Sequence, residues 1–108
     1  MKRFIWISYD LGVRGDYERL YGWLDEHGAK ECGDSLAAIN YEVKKELLKE
    51  LRADIGEAIE INKRTRVYVI HLDPATKKMK GTFIFGKRKA ARWTGFASGK
   101  GEEDEGEI

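Results

Sequence analysis

Asp10 is the side chain in this 108-residue sequence best placed to do chemistry. It closes the run Phe4-Ile5-Trp6-Ile7-Ser8-Tyr9, whose aromatic and β-branched residues favour a strand, and it precedes Gly12 and Gly15, which suit a loop. A carboxylate at the end of a strand can hold a hard cation such as Mg²⁺, which activates water at a phosphodiester. One carboxylate is too few for that, and a lone Asp at a strand's end is more often a loop cap. A twofold axis would bring two copies of Asp10 together as a shared catalytic and metal site, with Ser8 and Ser35 as supporting polar neighbours.

The second chemical feature is charge. Lys and Arg total 20 and Asp and Glu 19, yet five of the acidic residues fall in Gly101–Ile108, so residues 1–100 carry 20 cations against 14 anions and a net +6. From Ala75 to Lys100 there is no acidic residue, and Lys77, Lys78, Lys80, Lys87, Arg88, Lys89 and Arg92 all lie there, interleaved with Phe83, Phe85, Trp93 and Phe96. Cations beside stacking platforms suit RNA or DNA. The same lysines would also guard a strand edge against aggregation. The acidic tail either screens the basic body or docks on a basic surface, a partner's or its own.

Other chemistries find little support. His27 and His71 have no second histidine at ligand spacing, neither Ser8 nor Ser35 lies in a nucleophile elbow, and Gly12-Val13-Arg14-Gly15 is too short to cradle a phosphate. Cys32 is the only cysteine, which excludes an intrachain disulfide and fits a reducing, cytoplasmic setting. The apolar stretch after Met1-Lys2-Arg3 is too short for a signal peptide, and no apolar run approaches the roughly 20 residues that cross a bilayer.

The elements that must position these residues can be read from periodicity. Alternation in the first strand points Ile5, Ile7 and Tyr9 one way and Phe4, Trp6, Ser8 and Asp10 the other. Tyr17, Leu20, Tyr21 and Leu24 form a helical stripe between a capping Asp16 and a terminating Gly28, with Trp23 off the stripe. Ser35–Ile39 suits a second strand, with Gly33 as a bulge. Val43, Leu47, Leu48, Leu51 and Ile55 form a second helical stripe, capped by Asn40 and stopped at Gly56. Residues 57–62 are ambiguous. Arg66–Leu72 and Met79–Phe85 form a hairpin around Asp73-Pro74-Ala75-Thr76. The order implies an α+β, ferredoxin-like sandwich, with two helices on one face of a four- or five-stranded, mostly antiparallel sheet. Residues 1–97 are then one domain, and 98–108 a flexible acidic tail. The uncovered Phe4–Trp6 face is apolar enough to favour a homodimer.

Ile7-Ser8-Tyr9-Asp10-Leu11, Asp16-Tyr17, Leu20-Tyr21, Leu24, Gly28-Ala29, Asp34-Ser35 and Trp93-Thr94-Gly95-Phe96 together resemble the SinR-like branch of the CRISPR-associated Cas-two superfamily, which shares its fold with VapD-type toxins. The resemblance spans about residues 3–97. It implies a ferredoxin-like dimer tied together by its final strands. It also implies a Mg²⁺-dependent endonuclease, cutting RNA or DNA with a metal held by the Asp10 pair while Ser35 supports the site. A further implication is an integrase or antitoxin partner in antiviral defence, with duplex DNA bound along Lys77–Arg92. The alternative, also seen in this fold, is a non-catalytic dimer that binds nucleic acid or acts as a scaffold.

Overall fold

The computed structural model describes residues 1–88 and, as backbone, 105–107. The elements are β1 (Lys2–Asp10), α1 (Tyr17–Glu26), β2 (Lys30–Gly33), β3 (Leu36–Glu42), α2 (Leu47–Ala58), β4 (Arg66–Asp73), β5 (Lys78–Phe85) and β6 (Glu105–Glu107). They make one sheet in the order β2-β3-β1-β4-β5-β6, with every neighbouring pair antiparallel. The order β2-β3-β1-β4, with α1 and α2 as crossovers, is the ferredoxin-like α+β sandwich, and the hairpin strand β5 extends it. Among the described residues no helix is long and apolar enough to cross a membrane.

Alternation along β1 separates the two faces as its residue types require. Ile5 and Ile7 are fully buried and Tyr9 nearly so, and they pack with Leu20, Leu24, Leu51 and Ile55 of the helices and with Val67 and Val69 of β4. On the opposite face Phe4 is 49% exposed and meets Trp6 edge-on at 4.8 Å. Trp6 pairs with Ala38 on one side and Ile70 on the other, so the apolar surface continues across three strands.

Several boundaries differ from the periodic reading, each for a physical reason. β3 runs to Glu42, so Asn40 is a strand residue paired with Phe4 rather than a helix cap. Val43 is buried just beyond β3, and its spacing from Leu47 is a coincidence of two core contacts. α2 starts at Leu47 and is capped by Glu50, whose carboxylate accepts the backbone N–H groups of Lys44 (2.8 Å), Lys45 (2.6 Å) and Glu46 (2.6 Å). Gly56 does not stop the helix; its Cα faces the Phe85 ring, and the helix ends at Ala58 before the extended, buried Ile59.

In α1 the buried face is Leu20, Trp23 and Leu24, while Tyr21 is half exposed. Trp23 is drawn inward by the His27 ring at 4.2 Å and by Tyr41 of β3 at 6.2 Å. The Tyr41 hydroxyl donates to Asp54 of α2 at 3.0 Å, and His27 Nε2 lies 3.5 Å from the same oxygen, so one carboxylate links both helices to the sheet. Burial, then the bond to Asp54, pushes the Tyr41 hydroxyl well above the ordinary phenol value. Asp16 caps no N–H of its own helix; its carboxylate accepts Glu60 N–H at 3.0 Å and ties the start of α1 to the segment after α2. The expected bulge at Gly33 is present as a register shift between Glu31 and Gly33.

The acidic C-terminal segment contributes a strand. β6 pairs antiparallel with β5 in the register Lys80 with Glu107, Gly81 with Gly106 and Thr82 with Glu105. An open β-edge offers unpaired backbone groups, and this one belongs to the most cationic hairpin of the chain, so an acidic strand suits it on both counts.

Candidate functional site

Asp10 and Arg66 face each other as a cross-strand pair of β1 and β4, and Arg66 Nη2 meets Asp10 Oδ2 at 2.8 Å. The other carboxylate oxygen accepts Gly12 N–H at 3.0 Å, an Asx turn that starts the loop after β1. Leu11, 1% exposed, anchors that loop in the core, and its N–H donates to the Tyr17 hydroxyl at 3.0 Å.

Three further segments converge on the same spot. The loop from α2 to β4 is folded on Asn62, whose side-chain oxygen accepts Arg64 N–H at 2.7 Å and whose carbonyl accepts Thr65 N–H at 3.2 Å. This turn presents Lys63 and Arg64. The end of β5 leads through Gly86 to Lys87 and Arg88. Gly12 and Gly86 allow the close approach: both have positive φ, +79° and +74°, and a Cβ would lie 2.9 Å from Arg64 Cβ at Gly12 and 2.5 Å from the Thr65 carbonyl oxygen at Gly86. Asp10, Gly12, Lys63, Arg64, Arg66, Gly86, Lys87 and Arg88 together line an open cleft of about 590 Å³.

Five cations thus surround one carboxylate. Such a cleft suits a polyanion: several guanidinium and ammonium groups within one site are what phosphate oxygens require. It does not fit a divalent cation within a single chain, because both oxygens of its one carboxylate already accept hydrogen bonds and the neighbouring side chains are positive. Among the described residues, no group of three or more His, Cys, Asp or Glu could hold a metal ion.

The structure divides the residues expected from the sequence. Asp10, Lys87 and Arg88 line the cleft. Lys77, Lys78 and Lys80 lie at the far end of β5, roughly 25 Å away at about 3.3 Å per residue, with Lys80 Nζ 3.2 Å from Asp73 Oδ2. Lys89 and Arg92 lie outside the described residues. Ser8 sits on the open face between Leu36 and Tyr68, and the exposed Ser35 turns between β2 and β3, its carbonyl accepting Tyr9 N–H at 3.0 Å; neither lines the cleft. Lys63, Arg64 and Arg66 were missed. Their signal was the run Lys63-Arg64-Thr65-Arg66, which antiparallel pairing of β4 with β1 folds onto Asp10.

No family model matches the chain, and no curated protein or solved structure matches it.

Proposed function

We propose that this protein binds nucleic acid through its phosphate backbone, with Lys63, Arg64, Arg66, Lys87 and Arg88 as the contacts. The observation that carries this reading is the convergence of those five side chains on one cleft whose single carboxylate is occupied by Arg66. The lysines at the other end of β5 extend the footprint: roughly 25 Å corresponds to about seven base pairs at 3.4 Å per step, so one duplex can reach both ends. The protein acts as a homodimer in the cytoplasm, the second copy covering the Phe4–Trp6 face, in line with the resemblance to Cas-two and SinR-like proteins. Phe4 and Leu72, 49% and 44% exposed, support that cover.

The test is a salt series of affinity for duplex DNA and RNA. Each phosphate contact contributes about 0.9 to the slope of log affinity against log salt, so Lys63→Ala with Arg64→Ala should flatten it by roughly 2. An unchanged slope would overturn the assignment of the cleft, and sedimentation as a monomer would overturn the dimer. Mg²⁺-dependent endonuclease activity is the second reading, favoured by the position of Asp10 in this cleft. It requires a second Asp10 from the partner copy, since one chain supplies a single carboxylate. Equal cleavage of RNA or DNA by wild type and Asp10→Asn, both with Mg²⁺, would reject Asp10 as the catalytic group.

A further inference from the structure

A second cleft, of about 640 Å³, opens on the other side of β1, between α1 and the edge strand β2. Its charge is the reverse of the first: Asp25, Glu31 and Asp34 are its charged lining residues. None of these carboxylates forms an ion pair or side-chain hydrogen bond with a described residue.

The inner wall is aromatic. Tyr9 is 4% exposed and meets the half-exposed Tyr21 ring at 6.2 Å and 71°, which makes a corner of two aromatic surfaces. Tyr9 lines the cleft, and its hydroxyl has no hydrogen-bond partner among the described residues. Burial first, then Tyr21 and Glu31, holds its proton more tightly than an ordinary phenol's, so it is a neutral O–H at physiological pH with lone pairs to offer. The hydroxyl is open to the cleft and so to water, and the three carboxylates, all on exposed residues, give the cleft a negative field with no described ion-pair partner to cancel it.

A cation with several N–H donors can replace water at the hydroxyl and sit in that field at once, and the ring corner adds attraction for it within about 6 Å of a ring centroid. A bare metal ion does not fit, because no three of these acidic groups can close on one ion. An ammonium on an alkyl chain needs only one close acceptor, the carboxylates acting through their field, while its methylenes lie against the rings. We propose that this cleft binds an alkylammonium group, one N–H donated to the Tyr9 hydroxyl and its charge held in the field of the Asp25, Glu31 and Asp34 carboxylates.

Such a group comes either from a free polyamine or from a lysine side chain of a partner protein. The test is an NMR titration of the isotope-labelled full chain with 1,5-diaminopentane and, separately, with Nα-acetyl-lysine amide, each at matched ionic strength. Saturable shifts centred on Tyr9, Tyr21 and Glu31 are expected. Saturation by the diamine alone identifies a polyamine site, and saturation by the blocked lysine identifies a lysine-presenting partner. Tyr9→Phe keeps the ring in the core and should weaken binding roughly fivefold. Glu31→Gln with Asp34→Asn, at exposed positions that leave the core untouched, should weaken it about tenfold. No saturable shift with either probe, or full affinity in the acidic double variant, would overturn the proposal.

Discussion

Asp10 meets the Arg66 guanidinium at 2.8 Å, with the two side chains 43% and 23% exposed. A pair this open to water contributes about 0.5 kcal/mol to stability, since solvent screens most of its Coulomb energy. Its larger effect is on the cleft, where the carboxylate offsets one of five cations and holds Arg66 in place. Asp10→Asn is therefore expected to leave the thermal midpoint within a few degrees of wild type and to tighten nucleic-acid binding at low salt. Weaker binding by this variant would count against a purely cationic cleft and in favour of a site that uses the carboxylate directly. Gly86 makes a separate demand. Its φ of +74° and its position against the Thr65 carbonyl exclude a side chain, so Gly86→Ala combines a left-handed backbone penalty of about 1 kcal/mol with a clash. A melting midpoint lower by at least about 4 °C should follow, with loss of binding as Lys87 and Arg88 move. An unchanged midpoint would show that the approach of β5 to the loop before β4 is not tight.

Among the elements, α2 depends most on one residue. Glu50 accepts three backbone N–H groups at its start, and those bonds, with Lys44 first, hold its carboxyl below the usual range. A carboxyl whose pKa falls on folding contributes stability that is complete above its unfolded value and is lost as pH falls through the folded one. Glu50→Gln should therefore lower the melting midpoint at neutral pH, and the gap from wild type should close on acidification. A gap that persists well below pH 3 would rule the cap out as its cause. This cap was not legible in the sequence, because Asn40 is the residue type that favours the cap position and is excluded only once β3 is seen to continue through it. What was legible were the features set by a local period: the two faces of β1, the bulge at Gly33, the β4–β5 hairpin and the apolar stripe of α2, whereas β2 (Lys30–Gly33), all of it exposed, carried no apolar alternation to show it. Trp23 and Tyr21 exchanged roles because the aromatic partners of Trp23, His27 and Tyr41, come partly from another strand. The site was half legible for the same reason: Asp10 and Lys87-Arg88 could be named from local sequence, but Arg66 joins them only through the pairing of β4 with β1.

For the whole molecule, the near-neutral total of 20 Lys and Arg against 19 Asp and Glu hides an organised separation. Cations gather at both ends of β5, and β6, from a segment whose sequence is Glu102-Glu103-Asp104-Glu105-Gly106-Glu107, lies along that strand's outer edge. A strand placed there pairs with Lys80–Thr82, beside the Lys78–Lys80 end, and lowers the local positive potential on which a phosphate backbone depends. Removing residues 101–108 raises the net charge from +1 to +6 and reopens the edge. The truncated protein should bind duplex more tightly than the full chain at low salt, with a steeper salt slope. Its advantage should vanish near 1 M salt, where the Debye length is about 3 Å. Tighter binding that persists at high salt would instead mean that β6 blocks the edge sterically, with β5 making direct backbone contacts once it is freed. Unchanged affinity at low salt would separate the acidic strand from nucleic-acid binding altogether and leave it as the structural cover of an otherwise open edge.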